Sequence, residues 1–288
     1  MIWRRCFAVV VFVLATGGWV TGGSAIGADI LFMVSDAAVP GNADPAIKAH
    51  LESLGHTVNL LTTGTANQAA QLAAANANDL VLISETIGSG TVLTGGVFNL
   101  QAYTKPVISF EAFMWDDAKW TGAVIDQDFG GTGRPSLAAA HPNLTDLSDT
   151  LTITNSGHPL AAGFANGPLV VYTQPYAFNF GALLGAGVTV IAVAEPADPV
   201  AVQFVYEPGS ALVDGSITPG IRIGLYLGQT AAGNPADPGA TQFAFMNANG
   251  LALLNAAVDY AAVPEPSSIV LSLIGALGLL GLIRRRAR

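Results

Sequence analysis

The sequence predicts an α/β protein built on a mostly parallel sheet that carries helices over both faces. Two observations lead there. Strands and helices alternate through the first third of the body, and the strands are short, near-continuous apolar runs, as in strands buried on both sides. The helices between them are punctuated by residues that start and stop helices. Residues 29–34 (DILFMV) read as the first buried strand. A helix follows, with Asp44 as its N-cap, Pro45 in the first turn, Ile47, Leu51 and Leu54 on one face, and Gly55 as the stop. Residues 56–61 form a second strand, 66–77 an alanine-rich helix, and 80–84 and 106–110 the third and fourth strands. The second half is richer in strand, at 150–154, 169–173, 188–193, 201–206 and 221–227. A closing helix spans 250–261, with Leu251, Leu254 and Val258 inward and Asn249 as its cap. The loops 112–149 and 229–241 are long, and long loops in compact domains are often functional. No repeat of fixed period is present, so residues 29–262 are expected to form one domain.

The two ends differ from this body. Residues 1–28 read as a signal peptide for export: Arg4 and Arg5 form a positive start, an apolar stretch runs from Cys6 to Val20, and small residues lead to Ala28. Cys6 is the only cysteine, so the exported chain has neither a disulfide nor a cysteine nucleophile, and its core alone must stabilise it.

Residues 263–288 carry three features in order: Pro264-Glu265-Pro266, an apolar run 269–283, and a terminal cluster of Arg284, Arg285, Arg286 and Arg288. As a helix, 267–283 would be roughly 25 Å long, slightly short of the ~30 Å hydrocarbon core, a gap that arginine snorkelling and bilayer thinning can cover. The arginines hold its end in the cytoplasm and leave the body outside. The two prolines keep the chain around Glu265 extended at the membrane face.

Between Asp29 and Ala262, 19 acidic residues face five basic ones (Lys48, Lys105, Lys119, Arg134 and Arg222), a net charge of −14. Such a surface repels nucleic acid, so no nucleic-acid partner is expected, and it suits neutral sugars or cations, or simple solubility outside the cell.

The C-terminal pattern closely resembles the PEP-CTERM sorting signal. The resemblance implies an exosortase, a membrane-embedded cysteine transpeptidase, as partner. It also implies processing near Pro264-Glu265-Pro266, membrane contact through the C-terminal transmembrane helix beforehand, and a host that makes extracellular polysaccharide. The expected course is a membrane-anchored precursor, then a cell-surface or extracellular protein. A plain tail anchor with a proline hinge is the alternative.

The body resembles the ThuA-like and class I glutamine amidotransferase-like fold. The resemblance lies in Val34-Ser35-Asp36, Leu54-Gly55-His56-Thr57-Val58, residues 80–85, the turn 158–163 (HPLAAG), the strand 223–228 (IGLYLG) and the closing helix. It implies a flavodoxin-like three-layer sandwich. The amidotransferase cysteine has no counterpart here, which excludes glutaminase chemistry unless another residue substitutes.

In such a sheet ligands bind at the carboxyl ends of the strands. The first loop there carries Asp36 and a single Gly41, with no basic residue, which argues against flavin or phosphate. The catalytic candidates are Glu85 after the third strand, Glu111 after the fourth, and His158 in its turn. Trp115, Asp116 and Asp117 are the substrate-binding candidates. Glu85 and Glu111 facing one another under Trp115 would suit sugar binding or acid–base hydrolysis. The competing reading is that these acids cap nearby amides or sit in solvent. His50, His56 and His141 are not spaced as metal ligands, and Asp126-Gln127-Asp128 lacks the later bidentate carboxylate of a calcium loop. No metal and no cofactor are expected. The expectation is therefore an exported envelope or matrix protein with a body of non-catalytic role, in contact with extracellular polysaccharide. The alternative is a secreted hydrolase or sugar-processing enzyme.

Overall fold

A computed structural model describes residues 27–35, 43–62, 68–89, 103–227 and 242–262. They form strands β1 (Asp29–Val34), β2 (Thr57–Thr62), β3 (Leu80–Ile83), β4 (Val107–Ser109), β5 (Phe129–Gly131), β6 (Thr150–Ile153), β7 (Gly167–Val170), β8 (Asn179–Gly181), β9 (Val188–Glu195), β10 (Asp198–Tyr206) and β11 (Arg222–Gly224). The helices are α1 (Asp44–Ser53), α2 (Gln68–Ala77) and α3 (Ala248–Ala262).

All eleven strands join one sheet in the order β2-β1-β3-β4-β11-β10-β9-β6-β7, with β8 paired to β10 and β5 to β8 off that path. The first five strands of the order are parallel. Every pairing beyond β11 is antiparallel. The mostly parallel sheet is therefore corrected to a mixed one. The reason is connection length: β9 and β10 are separated by Pro196 and Ala197 alone, which permits only a hairpin.

Alternation within the parallel strands divides the core in two. Ile30, Phe32 and Val34 of β1 face a cluster with Ile47 and Leu51 of α1 and Leu253, Leu254, Ala257, Val258 and Ala261 of α3. Leu31 and Met33 face the other side, with Ala75 of α2, Val81, Ile83, Trp115, Trp120 and Phe204. Gly55, at φ +96°, ends α1 as expected, whereas Leu54 lies past the last helical turn and is 40% exposed. The cap of α3 is Asn247, whose Oδ1 accepts from the Asn249 and Gly250 amides at 2.9 and 3.1 Å; Asn249 instead donates its side chain to Val170 O. β5 and β8 were not foreseen, because three-residue strands containing glycine show no periodicity.

Among the described residues no helix is long and apolar enough to cross a membrane. The expected signal peptide up to residue 26, Pro264, Glu265, Pro266, the apolar run and Arg284, Arg285, Arg286 and Arg288 lie outside the described residues, as do Asp36, Gly41 and the loop 229–241.

Two buried side chains brace opposite edges of the sheet. Its carboxyl edge, after β3, β4 and β11, is braced by Asn179, fully buried, whose side-chain amide donates to Phe110 O and, at 2.9 Å, to Leu227 O. At the amino edge the buried Arg222 guanidinium donates to Tyr103 O and to Lys105 O and Ile221 O at 2.9 and 2.8 Å; burial pulls its pKa down to about 10. Asn179→Ala would strand two buried carbonyls and is expected to cost about 3 kcal/mol, read as a lowered midpoint in urea with unchanged slope. A loss under about 0.5 kcal/mol would mean the carbonyls find other donors.

Candidate functional site

The carboxyl edge holds a small crevice of about 10 Å³, partly open to solvent, lined by Ala43, Asp44, Ile47, Ser84, Glu85, Thr86, Phe110, Leu227 and Phe243. β3 ends at Ile83 and delivers Ser84, Glu85 and Thr86 in succession. The start of α1 supplies Asp44. The helix's N-cap is Ala43, with no side-chain cap, so Asp44 is not the cap its sequence position indicated. Its carboxylate turns across to β3 instead, accepting from Ser84 Oγ at 2.6 Å and Thr86 Oγ1 at 2.9 Å while only 1% exposed. This buried Asp–Ser–Thr network fixes the floor of the pocket and ties α1 to β3.

Glu85 is half-buried and lines the pocket. Tyr172 is fully buried nearby, and its hydroxyl has no hydrogen-bond partner among the described residues. Burial, reinforced by Tyr226 and then by the Glu85 carboxylate, raises the Tyr172 phenol well above its ordinary range, so it stays protonated as a donor. Nothing local marks Tyr172 in the sequence. Asp44 was legible there as a helix start, but not as a partner of Ser84.

Glu111 occupies the neighbouring loop yet is 1% exposed, and its Oε1 accepts from the Phe113 amide at 2.9 Å, capping the 3-10 turn Ala112–Met114. It does not line the pocket. Trp115 is fully buried, with its ring edge-on to Phe204 at 5.0 Å, so it is a core residue and not the roof of a cleft. Asp116 is half-buried, and desolvation raises its carboxyl pKa; Asp117 is exposed. Of the predicted constellation, only Glu85 therefore reaches the pocket.

His158 is placed at the other edge. Its Nε2 lies 3.9 Å from Oε1 of Glu207, the residue after Tyr206, and Tyr206 pairs with Arg222 at the amino end of β11. Its Nδ1 accepts from the Leu160 amide at 3.2 Å. Burial lowers the imidazole pKa, with Glu207 opposing. His158 thus belongs with Glu207 and Tyr260, the length of the strands away from Glu85.

The remaining polar groups are engaged elsewhere. His141 contacts Asp198 at 2.8 Å and Gln127 O at 2.7 Å. Asp126 faces Arg134 at 3.0 Å, an ion pair without hydrogen-bond geometry, and Asp128 accepts from the Val124 amide at 3.0 Å. A guanidinium therefore stands where a calcium cage would need carboxylates alone. Among the described residues no group of three or more His, Cys, Asp or Glu could hold a metal.

Comparison with known proteins yields likenesses of motif and of fold. Residues 262–287 match the PEP-CTERM protein-sorting motif. None of the curated proteins compared matches the chain. Among solved structures, a ThuA-like protein from Bacteroides uniformis ATCC 8492 is similar at a TM-score of 0.52 and 9% identity, over 87% of this chain and 98% of that one. At that identity the likeness is one of fold. The chain thus carries a PEP-CTERM sorting motif at its C-terminus, behind a body similar in fold to a ThuA-like protein.

Proposed function

We propose that this is an exported cell-envelope protein, delivered by exosortase-dependent sorting, whose body serves in the extracellular polysaccharide matrix without catalysis of its own. The observation that carries the reading is the sorting motif at 262–287, which suggests processing by an exosortase. In this reading residues 1–28 are the signal peptide, 263–288 anchor the precursor in the membrane, and the body lies outside. The non-catalytic reading of the body is supported by where its acids are used. Glu111 caps a turn and Asp44 accepts from two hydroxyls, so both carboxylates serve the fold.

A second reading keeps Glu85 as a general acid or base of a secreted hydrolase or sugar-processing enzyme. What favours it is the half-buried carboxylate in a pocket beside the protonated Tyr172 phenol.

Replacing Pro264, Glu265 and Pro266 together by alanine is expected to leave an unprocessed precursor in the membrane fraction, read by intact mass and immunoblot. A mature mass and location identical to wild type would overturn the sorting reading. Glu85→Gln separates the two readings of the body. Under the non-catalytic reading, any hydrolysis of matrix polysaccharide by the purified protein is unchanged by the substitution. A loss of about 100-fold or more in kcat would establish the enzyme.

A further inference from the structure

The last turn of α3 is pinned to the amino edge of the sheet by side chains from three other parts of the chain. Tyr260 donates its hydroxyl to Oε1 of Glu207, just past β10. The same oxygen lies 3.9 Å from Nε2 of His158, and the His158 and Tyr260 rings are 5.2 Å apart. One residue earlier, Asp259 stands 3.9 Å from Nε2 of His56, whose Nδ1 accepts from the Ala28 amide at 3.2 Å. Beneath them Ala257, Val258 and Ala261 are buried against the sheet.

This fastening sits directly before the sorting segment. Ala261 is 3% exposed, and Pro264 follows three residues later. Three residues, even fully extended, reach roughly 10 Å. A folded body of about 230 residues has a radius of gyration of roughly 17 Å. An enzyme embedded in the membrane that grips Pro-Glu-Pro therefore has at most about 10 Å of chain between it and a much wider body while α3 is docked to its end. The segment supplies no further reach, since that length already takes it as fully extended. The last helical turn can supply it, because it is where a helix frays first when tertiary contacts let it go.

We propose that Tyr260, Glu207 and His158 form a latch that sets the rate of sorting: processing draws on the minor population in which the final turn of α3 has undocked. The latch rests on the sorting reading above and adds its regulation. Tyr260 acts through Glu207, as a positioning residue.

The test is pulse-chase of the full-length chain in its exosortase-bearing host, with hydrogen exchange of the peptide ending at Ala262 measured on the same variants. Tyr260→Phe keeps the ring against His158 and removes only the hydroxyl. Loss of one hydrogen bond to a charged acceptor is expected to speed both exchange of the last turn and conversion of precursor by about tenfold. Glu207→Gln, which keeps the side-chain shape, is expected to act in the same direction and provides the reading should Tyr260→Phe fail to fold. Faster exchange with an unchanged processing rate would overturn the latch, and so would no change in either. Failure of the sorting reading looks different: wild type and the triple alanine variant at 264–266 would then be processed alike.

Discussion

The seam at β11 is the constraint on which the rest of the structure depends. β11 is three residues long, yet it pairs in parallel with β4 on one side and antiparallel with β10 on the other. Arg222, Ile223 and Gly224 thus join two sheets of opposite character into one. A side chain at Gly224 would meet the tip of the Phe204 ring at 2.3 Å, so glycine leaves the room that this ring fills while it packs nearly perpendicular to Trp115. At the same seam Arg222 closes the amino edge through main-chain carbonyls, and Asn179 closes the carboxyl edge by holding Phe110 O and Leu227 O. The pocket and the fastening of α3 inherit their geometry from this strand.

That geometry gives the body a polarity. Phe243, ahead of α3, lines the pocket at the carboxyl edge, while Tyr260 near the end of α3 meets Glu207 at the amino edge. α3 therefore runs from one edge to the other and hands the chain to the sorting segment on the side away from the pocket.

What the sequence made legible followed from local rules. β1 to β4 and α1 are visible because continuous apolar runs and a Pro-start, Gly-stop helix depend on near neighbours alone. The apolar cluster before a terminal run of arginines is likewise a matter of order along the chain. The site was less legible because its partners are distant in sequence: Asp44 meets Ser84 across 40 residues, and Asn179 meets Phe110 across 69. Trp115 misled for the opposite reason. An aromatic beside two aspartates looks like a sugar platform, yet whether it faces outward depends on Phe204, which no local pattern reveals. Glu111 likewise looks catalytic at a strand end, where a carboxylate serves equally well as a cap.

Charge adds a final step. Of the five bases in the body, Arg222 is buried in carbonyls, Arg134 faces Asp126 and Lys48 pairs with Glu52. Each of these two ion pairs cancels one acid with one base, and Asp44 and Glu111 are buried along with Arg222, so the surface keeps most of the acidic excess of the body. An acidic body is repelled by an anionic membrane surface and by other copies of itself. In the membrane-held precursor proposed above, that repulsion would pull on the last turn of α3, in the direction that opposes its docking. The contacts of Tyr260 and Asp259 with the body oppose that pull.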